Sequence, residues 1–172
     1  HEAVPGHHLD GATAMELDVP QVVKALWSNT SGEGWALYSE QLAAEMGMYA
    51  DDPYGDLGRL QAELHRAVRL VVDTGMHAKK WSREQAIDFL ASNTALSMHE
   101  VTTEIDRYIS WPAQALSYKL GEYTIWQLRR RAEQALGEAF ELRDFHDQLL
   151  ALGSVPLDVL EDEIDAWIDA RR

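Results

Sequence analysis

The chain has 172 residues, 46% of them hydrophobic and 26% charged, a balance that supports a packed core and excludes general disorder. Its 29 acidic and 15 basic side chains give a formal charge of −14, which argues against a nucleic-acid partner. There is no cysteine, so disulfides, thiolate metal sites and cysteine nucleophiles are excluded.

The first residue is His rather than Met, as expected of a piece taken from a longer protein. A leader segment could have been removed with the preceding part, so localisation is not readable, and neither is oligomeric state. No apolar run approaches the ~20 residues of a membrane-spanning helix.

Apolar residues recur at helical spacing almost throughout, and no stretch alternates like a half-buried strand. The expected fold is all-α and multi-helical, a single domain over 1–172 without an internal repeat or a linker rich in Pro, Gly or Ser. In chain order, short helical pieces are predicted at 7–17 and 20–28, followed by a Gly-containing loop at 29–32. A helix then runs from about Glu33 to Met48. Asp51-Asp52-Pro53 starts the next helix, which continues to about Lys79 with Gly75 as a weak point inside it. Ser82 reads as the N-cap of 83–92. Ser97-Met98-His99-Glu100 is a capping-box pattern opening 98–109. Pro112 suits the first turn of a long helix to about Leu136, which Gly137 ends. Two further helices follow at about 142–152 and 156–170, punctuated by Gly153 and Pro156. The last is amphipathic, with Leu157, Leu160, Ile164, Trp167 and Ile168 on its apolar side.

The most informative segment is His1-Glu2-Ala3-Val4-Pro5-Gly6-His7-His8. Many zinc peptidases carry His-Glu-x-x-His on a helix, with both imidazoles on the ion and the Glu taking a proton from water. The spacing here is longer. Across six residues an unbroken helix rises about 9 Å, too far for one ion with bonds of about 2.0–2.1 Å. Either the helix breaks at Pro5-Gly6, or His1 and the His7/His8 pair do not share a metal. The expected third ligand lies in Gly32-Glu33-Gly34-Trp35-Ala36-Leu37-Tyr38-Ser39-Glu40, where the glycines allow close approach. Glu33 is the first candidate. Glu40, seven residues on, is its rival or a carboxylate fixing a His ring.

Other candidates are weaker. Asp73 and His77 are four apart on a predicted helix and can touch; Arg69 shares that face and could pair with Asp73. His146 is a candidate oxyanion donor. Gln114 and Arg129 are candidate substrate-binding residues, the latter through a carboxylate. Arg129 pairing with Glu133 on a solvated face is the plainer alternative. His65 and His99 read as structural, and the Trp residues as core.

The segments HEAVPGHHLD, GEGWALYSEQL, VRLVVDTGMHAKKWSREQAIDFL, PAQALSYKLGE and FHDQLLALGSVPLDVL resemble the bacterial DUF885 family, in order and over nearly the whole chain. The family usually has Gln where this chain has Asp10. The resemblance implies a helical fold with a deep cleft, of gluzincin-like metallopeptidase character, to which this chain would contribute the C-terminal part. It implies a Zn2+ ion on His1, His7 and Glu33, with Glu2 as general base. It also favours Tyr118 as donor to the oxyanion of a peptide or small amide substrate; Gln114, one turn earlier, could bind substrate backbone. The competing expectation is a helical module that binds metal without catalysis. A di-iron bundle would need paired Glu-x-x-His motifs, and neither these, a Gly-x-Ser-x-Gly elbow nor a phosphate loop is present.

Overall fold

A computed structural model describes residues 1–19, 21–25 and 27–172. Among the described residues the chain is all-helical. In order the helices are α1 His7–Glu16, α2 Gln21–Ala25, α3 Asn29–Glu45, α4 Pro53–Lys79, α5 Arg83–Asn93, α6 Met98–Ser110, α7 Gln114–Leu136, α8 Leu142–Ala151 and α9 Leu157–Asp169, with a 3₁₀ turn at Gly137–Ala139. No helix is long and apolar enough to cross a membrane among the described residues.

The chain forms two compact units, His1–Ser39 with Gly121–Arg172, and Glu40–Leu120. Both unit boundaries fall inside helices, α3 and α7, where no linker composition marks them.

In the first unit, α1 packs on α8 and α8 on α9. Trp35, Ala36, Leu37 and Tyr38 are all buried, so this stretch of α3 is enclosed on every side. Ile125, Leu128 and Ala132 of α7 are buried at helical spacing, as are Leu160, Ile164, Trp167 and Ile168 of α9. The close approach of α3 and α7 is made through glycine. A Cβ on Gly34 would lie 2.6 Å from Gly121 backbone, and one on Gly121 would lie 1.8 Å from the Thr30 carbonyl oxygen.

In the second unit, α4, α5 and α6 pack on one another. Their core holds Val68, Val72, Ala86, Leu90, Val101, Ile105, Tyr108 and Ala115. Caps set the helix starts. The Asp52 side chain accepts from Gly55 N and Pro53 occupies the first turn of α4. Ser82 with Gln85 and Ser97 with Glu100 complete capping boxes on α5 and α6, each supplying about 1 kcal/mol.

Several features differ from the sequence expectation. α3 begins at Asn29, so the predicted loop at 29–32 is helical; the Ser28 carbonyl accepts from Ser31 N and Gly32 N. It also ends at Glu45, ahead of Gly47 with φ +81°. α4 runs without interruption through Gly75, whose missing Cβ makes room for the Trp81 ring, 2.4 Å from where that atom would stand, and whose carbonyl accepts from Trp81 N at 2.9 Å. Pro112 lies before α7 rather than in its first turn, because Ala113 adopts a left-handed conformation at φ 69°. Of the piece predicted at 20–28, α2 covers Gln21–Ala25, while Pro20 and Leu26 lie outside the described residues.

Candidate metal centre

The helix does break before His7. Residues 1–6 form a non-helical turn, and α1 starts at His7 with the His7 N–H donating to the His1 carbonyl at 2.8 Å. Gly6 is required inside this turn, since a Cβ there would lie 1.7 Å from the His1 carbonyl oxygen. The indole N–H of Trp35 donates to the Pro5 carbonyl at 2.8 Å and ties the turn to α3.

The turn sets the His1 and His7 rings edge to face, 4.9 Å between centroids. α3 brings Glu33 to both. Its Oε2 lies 3.1 Å from His7 Nε2 and 3.6 Å from His1 Nε2. One donor atom from each of His1, His7 and Glu33 lies within 4.8 Å of the other two. Tetrahedral bonds of about 2.0–2.1 Å place neighbouring donors about 3.3 Å apart, so both carboxylate–imidazole separations fit a shared ion. All three residues are partly buried. His7 Nδ1 is buried with no hydrogen-bond partner, while Nε2 is the ring nitrogen that faces Glu33. Beside the cluster, burial pushes the Asp10 carboxyl up, and His7 pulls it down less strongly.

Gly32 serves the cluster by accommodating an aromatic ring: a Cβ on it would lie 2.4 Å from the Trp27 indole. That indole stands 6.0 Å from the His7 ring, between centroids. A cavity of about 220 Å³ adjoins it, walled by Trp27, Met15, Leu17, Val19 and the buried Asp10.

The other candidates are distributed as follows. Glu2 is exposed, immediately after His1. His146 lies in the first unit, but its Nε2 is hydrogen-bonded to the Tyr38 hydroxyl at 2.8 Å. The same hydroxyl accepts from Arg129 Nη1 at 3.1 Å, and Arg129 Nε donates to Glu133 at 2.9 Å. The Arg129–Glu133 pair is present, but on a side chain only 13% exposed and held inward by Tyr38 rather than on a solvated face. Burial and the Arg129 charge lower His146 to about 4, against a smaller opposing effect of Asp147.

Glu40, Asp73, His77, Gln114 and Tyr118 belong to the second unit. Glu40 faces Arg66, 3.6 Å away. Asp73 and His77 do not pair with each other. Asp73, almost fully buried, accepts from Ala113 N at 3.1 Å, while His77 Nε2 bonds to the Tyr108 carbonyl at 2.9 Å. Nor does Arg69 pair with Asp73; it donates to Gln114 Oε1 at 2.8 Å, and Gln114 Nε2 donates to the Tyr118 hydroxyl at 3.0 Å.

Sequence reasoning missed Tyr38, Trp27 and Trp35. Tyr38 is five residues after Glu33 and carries a hydroxyl inside an apolar run, which is a usable signal. Nothing local marks the tryptophans. Trp27 and Trp111 are more than half exposed, so the assignment of all Trp to the core holds only in part.

Fold and cluster together describe a helical protein in which His1, His7 and Glu33 converge. The chain belongs to the family described as bacterial protein of unknown function (DUF885), which matches residues 1–164. No curated protein matches it significantly. Among solved structures it is similar to a "putative lipoprotein" from Colwellia psychrerythraea, at 51% identity and TM-score 0.94, covering 98% of this chain and 29% of that one. It is also similar to a "putative lipoprotein of unknown function" from Shewanella oneidensis, at 26% identity and TM-score 0.85, covering 93% and 29%. The chain thus spans under a third of the length of these solved relatives.

Proposed function

We propose that the protein is a metal-dependent hydrolase, with zinc as the ion and peptides or related amides as substrates. The observation that carries this reading is the convergence of His1, His7 and Glu33 within 4.8 Å. Two neutral imidazoles and one carboxylate are the donor set of many catalytic zinc sites, which keep a fourth position for water or substrate. When bound there, the ion would acidify a water and polarise the scissile carbonyl.

The chain's own residues supply the rest. Glu2, next to His1 and open to solvent, would take a proton from the attacking water and deliver it to the leaving amine. The Trp35 bond to Pro5 holds the turn that carries both histidines. The cavity beside Trp27, about 220 Å³ and mainly apolar in its walls, suits one modest apolar side chain of a substrate.

The test is Glu2→Gln in the protein at its natural length. Bound zinc should be retained while hydrolysis of a peptide library falls by at least ~100-fold, the range of general-base contributions. Equal turnover by parent and variant would sink the mechanism.

A further inference from the structure

We infer that the second unit carries a binding site for a small organic oxyanion, a carboxylate or phosphate group held by Arg66 and Arg69 of α4. The site is a cavity of about 400 Å³ lined by these arginines together with His65, Leu96, His99, Glu100, Thr103 and Glu104. That volume lies in the small-molecule range. It involves none of the residues of the candidate metal centre.

The case begins with Arg69. It is only 4% exposed, and its guanidinium stacks over the Tyr118 ring at 4.2 Å and the Tyr108 ring at 5.1 Å. Its acceptor among the described residues is the neutral amide oxygen of Gln114. Its Nε is buried with no hydrogen-bond partner, and no carboxylate lies within ion-pair distance of it among the described residues. The nearest counter-charge, Glu104, acts on it from beyond ion-pair distance, so the cost of burying the guanidinium is only partly offset. Asp73, one turn along the helix, could have supplied a paired one, but it is turned to Ala113 N.

Arg66, three residues earlier, repeats the pattern less strictly. It donates to the Ala62 carbonyl at 3.1 Å and lies 3.6 Å from Glu40, yet its Nε is buried and unpartnered. The acids on the cavity wall are already engaged. Glu104 accepts from the Tyr108 hydroxyl at 2.6 Å and from Arg107 at 2.8 Å. Glu100 caps α6 through Ser97. His65, bonded to the Tyr108 hydroxyl at 3.3 Å, is kept neutral at pH 7 by burial and by the two arginines. It adds a hydrogen-bonding edge without adding charge. Two guanidiniums line one cavity, and their planar forks match the geometry of a carboxylate or phosphate. They do so in a chain whose overall charge would otherwise repel anions.

The experiment is isothermal titration of the protein at its natural length with succinate, with inorganic phosphate and with neutral succinamide. Parallel titration of Glu33→Gln shows whether a metal-held anion contributes. Saturable binding of succinate or phosphate but not succinamide is expected, and which anion binds identifies the carboxylate or the phosphate form. Arg66→Gln and Arg69→Lys should each weaken it at least ~10-fold, Lys being unable to reproduce the planar fork. The exposed His99→Gln serves as a variant that leaves the helix packing intact, with a smaller loss expected. Failure of both anions to saturate by about 10 mM, a very weak affinity, overturns the proposal whatever the variants do. So does binding that survives in both folded arginine variants.

Discussion

His7 Nε2 stands 3.1 Å from Glu33 Oε2 across 26 residues of sequence. The contact joins the first turn of α1 to the second turn of α3, and His1 completes it from the preceding turn. Three donors from two segments define a centre that substitution can dismantle one residue at a time.

Metal content is the direct readout. The protein should carry one zinc per chain, and His7→Ala or Glu33→Gln should lower its affinity at least ~10-fold. Glu40→Gln should retain it, since that carboxylate faces Arg66. Removal of zinc should lower thermal stability, by about 4 kcal/mol for an ion held at a thousandfold excess over its Kd. Retention of full zinc by Glu33→Gln would move the centre elsewhere.

The glycine crossing of α3 and α7 predicts a size-dependent penalty. Gly121→Ala places a methyl 1.8 Å from the Thr30 carbonyl oxygen, and Gly34→Ala places one 2.6 Å from Gly121 backbone. Both should destabilise by about 1–3 kcal/mol or more, because backbone must move. Gly58→Ala on α4, where a Cβ meets nothing within 4 Å, should instead stabilise by about 0.4–1 kcal/mol. Urea denaturation of the three variants separates the two signs.

His146 predicts a pH dependence. Its folded value of about 4 lies below the model-compound value of 6.5, so the unfolded chain takes up the proton first as pH falls. Its contribution is fully present above pH 6.5 and is lost as pH drops toward 4. NMR titration should show the imidazole changing near pH 4, and Arg129→Gln should raise that midpoint by removing the repelling charge. A midpoint near 6.5 in the parent protein would contradict the Tyr38–His146–Arg129 arrangement.

Asp73 and Ala113 form a second structural pair. Asp73→Ala removes the acceptor of Ala113 N and should cost about 1–3 kcal/mol. Ala113→Gly relieves a left-handed residue at φ 69° and should stabilise by up to about 1 kcal/mol. Thermal melts of both variants give the comparison.

What was legible in the sequence was local. Asp52-Pro53, Ser82 and Ser97 mark helix starts through bonds within one turn, and Gly137 marks an end through its own φ of +52°. What was not legible depends on partners far away. Gly32 argues against helix by propensity and falls in the predicted loop, yet it sits inside α3, where the Trp27 ring occupies the space its side chain lacks. Ala113 adopts a conformation that its own chemistry disfavours, beside a buried carboxylate 40 residues earlier. At the candidate site, the unusual spacing from His1 to His7 left a helix break as one of two readings, and Glu33 stood as first candidate ahead of Glu40. The Trp35 bond to Pro5, and the hydroxyl shared by His146 and Arg129, follow only from the fold.

The crossing of α3 and α7 bears on how variants of this protein would be interpreted. Gly34 adjoins Glu33 on the same helix, so the depth at which the carboxylate stands is set by a place where no side chain exists. A mutational survey should therefore record strong loss of function at Gly34 and Gly121, positions with no donor, acceptor or charge to lose beyond the backbone. Adding bulk there would act on the centre at a distance, like a shim driven under one leg of a tripod.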